Sequence, residues 1–557
     1  MHSLSLRLAC SCSLVALFAC GGDDPDATTA DTSSTPMSMP LTDSAAEDSE
    51  DPPTTSETGD GESSTGEPAP FEPIPARGGI EIDWVEANQG VGVKIGADGD
   101  GVPGELRNTY LLQNRVMLIR AFWKIPADWT SRKIEGRLIL SYPGESEPRV
   151  LKSTALVDGE SFVGSLERSF YWGLMADDVV PGIKYRIELW ETDFGAEDLP
   201  EPAKPARLPV DGGSTFIGIE ASDQVLKITI VPFNYNDGGN CVTTPDTSEA
   251  TMQLFYDQMY MMNPVDTLEI TMHEPVDWNE PLSDFNELNQ WMSGMRDDEG
   301  AEPERYYFGL VDVCSGGLGG AGGKAFGIPQ GAQMQDAWQR VSSGLSTDDT
   351  EWSSETFVHE VGHTQGRFHV FCNGEEAGTD PNYPPEYEHG EIGDWGFGVI
   401  NFQLYHPTVH RDYMTYCHPV WASTYGWNKV YPNVKELSTW DNAAPPMPKP
   451  GDKIGGLLVG SIYPNGREDW ITVRGGVRPE QLSAVHGVEF VVDGQPIHQP
   501  GAWLPQPDGD IVNLAVPLPD RFDEVSALTR VAGPERIAVD LSKIRQHHRP
   551  KPIKPAP

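Results

Sequence analysis

The period of the apolar positions changes twice along the chain. From 78 to about 221, short runs alternate apolar and polar residues, as in Gly79-Ile80-Glu81-Ile82-Asp83-Trp84 and Tyr185-Arg186-Ile187-Glu188-Leu189-Trp190. Glycine and proline separate these runs, which predicts a β-sandwich-like domain over 77–221. From about 222, strand patterns at 226–232, 267–272 and 306–311 alternate with helical patterns at 248–262 and 285–295. Such alternation predicts an α/β domain, placed at 222–435. Short strands return from about 454 to 539, predicting a C-terminal β-sandwich-like domain over 450–545. The expected fold class is multidomain α+β. Asp98-Gly99-Asp100-Gly101 lacks an acidic ligand at calcium-loop spacing and reads as a plain turn.

The ends of the chain follow other rules. Residues 1–20 carry one charge, Arg7, and a mostly apolar stretch ending Leu17-Phe18-Ala19-Cys20-Gly21, which reads as an export signal. This end resembles a bacterial lipobox and implies that Cys20 is lipidated and anchors the chain in a membrane. Residues 21–76 hold fourteen Asp or Glu, no Lys or Arg, and many Ser, Thr and Pro. A segment so poor in apolar side chains cannot offset its chain entropy, so a disordered acidic tether is expected there. Lys551, Lys554 and Arg549 mark 546–557 as a basic tail.

Charge and length narrow the function. The 557 residues exceed one compact core, and a net charge of −45 argues against nucleic acid or an anionic membrane surface as partner. No apolar run is long enough for a multi-pass membrane protein.

Residues 359–369 read His359-Glu360-Val361-Gly362-His363-Thr364-Gln365-Gly366-Arg367-Phe368-His369. Two His four apart share one helix face, and their ring nitrogens converge on a point that suits a divalent zinc ion. Glu360, next to the first ligand, is placed to act as general base toward water. Gly366 is the helix break, because a residue without Cβ reverses the chain cheaply and brings His369 back as third ligand. Three protein ligands leave a position open, as in catalytic rather than structural sites. With 13 His in the chain, coincidence of all these positions has odds on the order of one in ten thousand. Asp348 and Glu351 form a capping-box-like pair at the start of the motif helix.

The eleven-residue pattern resembles the zinc signature of the metzincin clan of metallopeptidases. Asp412-Tyr413-Met414-Thr415-Tyr416-Cys417 fits that clan's Met-turn, and the resemblance implies that Met414 forms an apolar floor beneath the three His. It further implies that Tyr416 contacts the metal or the oxyanion; core packing is the other reading. Further runs, among them Cys417-His418-Pro419-Val420-Trp421, resemble a group of bacterial secreted metzincin-like proteases over roughly 226–430. In metzincins an edge strand before the active-site helix pairs with extended substrate. The glycine-rich 316–327 is either that strand or a mobile loop. Four cysteines remain beyond the signal, and three pairings are possible. The Met-turn places Cys417 near the metal floor with Cys372, which implies Cys372–Cys417 and Cys241–Cys314.

The expectation is a metzincin-like zinc endopeptidase domain flanked by two β domains. It binds one Zn2+, cleaves protein or glycoprotein substrate, and is a monomer on a lipid anchor. Its place is the outer membrane or cell surface of a bacterium, with shedding to the outside as a variant. The competing expectation is a non-catalytic surface lipoprotein that binds extracellular polymers or host protein, its zinc site vestigial. No Cys lies between 21 and 240, so a cysteine latch on the metal is excluded. His389, His406, His410 and His418 read as polar loop residues.

Overall fold

The computed structural model describes residues 71–221, 223–314, 317–374, 376, 378–440, 455–507 and 509–545. The export signal, Cys20, most of the acidic tether and the basic tail lie outside the described residues. The molecule is β-rich, with several sheets and four α-helices among the described residues. No described helix is long and apolar enough to cross a membrane.

The first sheets form a two-layer sandwich. One layer holds Ile74–Pro75, Lys184–Glu191, Arg132–Ser141 and Arg149–Val157. The other holds Gly92–Ala97, Glu81–Asn88, Met117–Lys124 and Phe170–Leu174. Lys184–Glu191 alternates between the buried core and its outer face, as a half-exposed strand must. Val85, Ile95, Ile119, Leu138 and Ile187 join the common core. The fold begins earlier than composition implied. Ile74 and Pro75 pair with Glu191 and Trp190, Phe71 packs edge-on against Phe194 at 5.2 Å, and Ala76 is fully buried. The last residues assigned to the tether thus belong to the sandwich, because Phe71 and Ile74 supply apolar surface that the acidic stretch before them lacks.

The central sheet runs in the order Val242–Thr243, Val225–Asn236, Tyr306–Val311, Val341–Leu345, Gly323–Ala325. The middle three strands are parallel; Gly323–Ala325 is an antiparallel edge strand, with Gly323 opposite Gly344. Helices cover both faces: α1 (Glu249–Met262), α2 (Asn286–Asp298), α3 (Thr350–Thr364) and α4 (Thr424–Thr439). Successive residues of one strand show the two sides. Phe308 packs edge-on against Phe357 of α3 at 4.8 Å, whereas a Cβ on Gly309 would strike Met292 of α2. α4 extends past the expected boundary at 435 and holds Pro432 in its interior.

The C-terminal part is one eight-stranded sheet rather than the expected two-layer sandwich. It curls far enough for Arg530, on Val525–Ala532, to reach Glu468, on Glu468–Gly475, at 2.7 Å across the strand order. Leu458, Trp470, Phe490, Leu514 and Leu528 fill the inside of the curl. The outer face, through Leu457, Val459, Ile471 and Ala515, shares a core with Met292 and Trp338 of the central part. One sheet suffices because its second apolar face is buried by its neighbour.

The sandwich is likewise joined to the central part. Arg115 is fully buried and donates to the carbonyls of Val265 at 2.6 Å, Tyr260 at 2.9 Å and Met261 at 3.2 Å. Tyr260 and Met261 end α1, so the guanidinium meets orphan carbonyls at the negative end of the helix dipole.

Candidate metal centre

α3 starts one residue later than the capping pair implied. Asp349, not Asp348, is its N-cap, and its Oδ1 accepts the Trp352 N–H at 3.2 Å. The helix carries His359, Glu360 and His363, ends at Thr364 and has Gln365 as its C-cap. Gly366 follows with φ +95°, Gly366 N–H donates to His363 O, and Arg367 N–H donates to Gly362 O. These two bonds form a Schellman stop. A Cβ on Gly366 would lie 2.8 Å from the Pro329 carbonyl oxygen, so both the turn and the neighbour demand glycine. The reversal brings the His369 ring to 4.6 Å from His363 and 5.3 Å from His359, centroid to centroid.

One ring nitrogen from each of the three His lies within 4.8 Å of the others, and His363 Nε2 is 3.1 Å from His369 Nε2. Two ligands at ordinary zinc–nitrogen distances in a tetrahedral shell are about 3.4 Å apart, so the spacing fits such an ion. Ring orientation fits as well. His359 Nδ1 faces Tyr413 O at 2.8 Å, and His363 Nδ1 faces Arg367 O at 2.7 Å. A carbonyl accepts only, so each Nδ1 carries its proton and each Nε2 keeps a lone pair for a metal. His363 and His369 are buried and His359 nearly so.

Met414 is fully buried. A Cβ on Gly362 would lie 2.6 Å from Met414 Sδ, so the thioether rests on the helix backbone between the first two His. Met414 O also accepts the Val370 N–H at 2.9 Å, tying this turn to the residue after His369. Tyr416 is 41% exposed, its ring 4.9 Å from His369 and 5.9 Å from His359. That exposure places it at the mouth of the centre rather than in the core.

Glu360 is buried against the edge strand. A Cβ on Gly323 would lie 2.8 Å from Glu360 Oε1 and 2.8 Å from Thr356 Cγ2. Of the glycine-rich segment, Gly316 lies outside the described residues. Residues 323–325 form a strand at the sheet edge, whereas 317–322 make a turn closed between Leu318 and Ala321.

Both disulfides occur, Cys241–Cys314 and Cys372–Cys417. The second joins the chain after His369 to the residue after Tyr416. His418 then pairs with Glu355 of α3 at 3.1 Å, and the hydrogen bond to that carboxylate raises the imidazole pKa. Tyr416 is therefore followed by a covalent link to one side of the centre and an ion pair to the other. His389 meets Cys372 O at 3.1 Å, and His406 packs on Trp395, so neither joins the three-His group.

Sequence reasoning missed three contributors, Arg367, Asp412 and Glu355. Arg367 and Asp412 stand inside 359–369 and 412–417, and a charge amid His and apolar residues was the available signal. Nothing local marks Glu355 as the partner of His418.

No protein-family model matches the chain, and no curated protein matches it at a significant level.

Proposed function

We propose that the chain is a zinc-dependent endopeptidase of the metzincin type, built on a metzincin-like central domain, that acts outside the cell. The observation that carries this reading is the meeting of three imidazoles, with Glu360, the residue next to the first of them, buried against the edge strand. Zinc held by His359, His363 and His369 would supply Lewis acidity toward water and toward a peptide carbonyl. Glu360 takes the proton of the attacking water and passes it to the departing amide nitrogen. The Tyr416 hydroxyl donates to the oxyanion. Gly323–Ala325 aligns an extended peptide by backbone pairing past Glu360. Two disulfides and the amino-terminal lipobox-like segment support an exported, lipid-anchored protein.

The test is cleavage of a mixed peptide library by the purified protein, read by mass spectrometry with and without chelator. Glu360→Ala is expected to keep one zinc per chain and to lose about 10²–10⁴-fold in kcat/KM. Near-normal cleavage by that variant rejects the role of Glu360. A zinc-loaded wild type that leaves the library intact rejects the peptidase and favours a binding lipoprotein.

A further inference from the structure

The carbonyls that orient His359 and His363 belong to Tyr413 and Arg367, distant in sequence. A buried ion pair holds both in place. Arg367 Nη2 donates to Asp412 Oδ1 at 2.9 Å, and the side chains are 1% and 0% exposed. The same Oδ1 accepts the Met414 N–H at 2.9 Å. The other carboxylate oxygen accepts the hydroxyl of Ser423, the N-cap of α4. Gly426, in the first turn of α4, leaves no room for a side chain where the guanidinium passes. A desolvated pair is a poor source of stability, since apolar side chains of similar volume often do as well. Geometry is then the property the pair supplies.

We propose that Arg367 and Asp412 are positioning residues for the metal centre. They clamp the turn after α3 to the turn at Met414. The clamp holds Arg367 O and Tyr413 O where the Nδ1–H groups of His363 and His359 meet them. Both Nε2 lone pairs thereby stay directed at one point. The inference rests on the zinc reading above for its ligand, and its test also has a readout that needs no metal.

Two variants of the full chain are compared with wild type. Asp412→Asn removes one charge. Arg367→Met combined with Asp412→Leu removes both, so that no lone charge stays buried and the fold is expected to hold. Zinc affinity is measured by competition with a chromophoric chelator. Imidazole N–H signals are followed by NMR of histidine-labelled, metal-free protein. The expected result is zinc binding weakened about 10–100-fold, with the Nδ1–H signals of His359 and His363 lost or shifted and thermal unfolding of the double variant near that of wild type. A folded double variant that binds zinc as tightly as wild type and keeps both signals overturns the assignment. If neither variant folds, the pair is structural and the positioning role is withdrawn. A wild type that takes up no zinc, with variants that lose the Nδ1–H signals, sinks the zinc reading and leaves the clamp standing.

Discussion

Gly362→Ala adds one methyl group to α3 between His359 and His363, and two effects of opposite sign meet there. Alanine is favoured over glycine in a helix interior by about 1 kcal/mol. The new Cβ would lie 2.6 Å from Met414 Sδ and 2.9 Å from Tyr413 Cε2. Comfortable heavy-atom contact needs about 3.5–4.0 Å, so both side chains must withdraw by about 1 Å. Such overpacking costs about 1–3 kcal/mol, toward the lower end where a flexible methionine can yield. The backbone of Met414 cannot follow, because its N–H is held by Asp412 and its carbonyl by Val370 N–H. The net expectation is a loss of about 0–2 kcal/mol in stability, with weaker zinc binding as the strain between the held turn and the helix shifts His359 and His363 on either side of position 362. Thermal unfolding of metal-free protein and chelator competition measure the two separately. A variant stabilised by about 1 kcal/mol with unchanged zinc affinity would show that Met414 does not rest on this helix, and the floor would be refuted.

The remaining predictions concern control and chemistry. Burial pushes the Glu86 carboxyl up to about 7 against the opposing pull of Arg120. The unfolded chain releases that proton first, so stability should fall as pH rises from about 4.5 to 7, by at most about 3 kcal/mol. Glu86→Gln should flatten this slope in melts across that range, and an unchanged slope refutes it. Loop length ranks the bridges at about 4 kcal/mol each, with Cys241–Cys314 slightly ahead because it spans 73 residues against 45. Position reverses the order for function: paired serines at Cys372 and Cys417 should weaken zinc binding more than paired serines at Cys241 and Cys314. Equal affinities in the two variants would contradict that ranking. Tyr416→Phe should lower kcat by about 10²-fold with zinc affinity unchanged; full activity in that variant would leave Tyr416 with no part in the chemistry.

Much of the fold and site could be read from local rules. Helical spacing put His359 and His363 on one face, and Gly366 stands where the helix has to stop, since both depend on residues within two turns of one another. Strand alternation located most of the sandwich and the central strands for the same reason. Local rules failed where a long-range partner outvoted them. Pro432 argues against a helix by removing a donor, yet α4 forms around it, its buried face supplied by Trp427, Val430, Val434 and Leu437. The spacing to Glu351 pointed to Asp348 as the cap of α3, and the folded backbone selected Asp349.

The primary structure alone marked the side chains that the fold gathers: three imidazoles, one carboxylate and a methionine, each at a fixed offset along the backbone. Tertiary structure decided what orients them. Arg367 found Asp412, Arg115 found the end of α1, and the last strands curled into one sheet against the central core. A charge does not announce its partner through spacing. The pairing is set by which groups lose water together when distant segments close on one another, and that exists only in the folded chain.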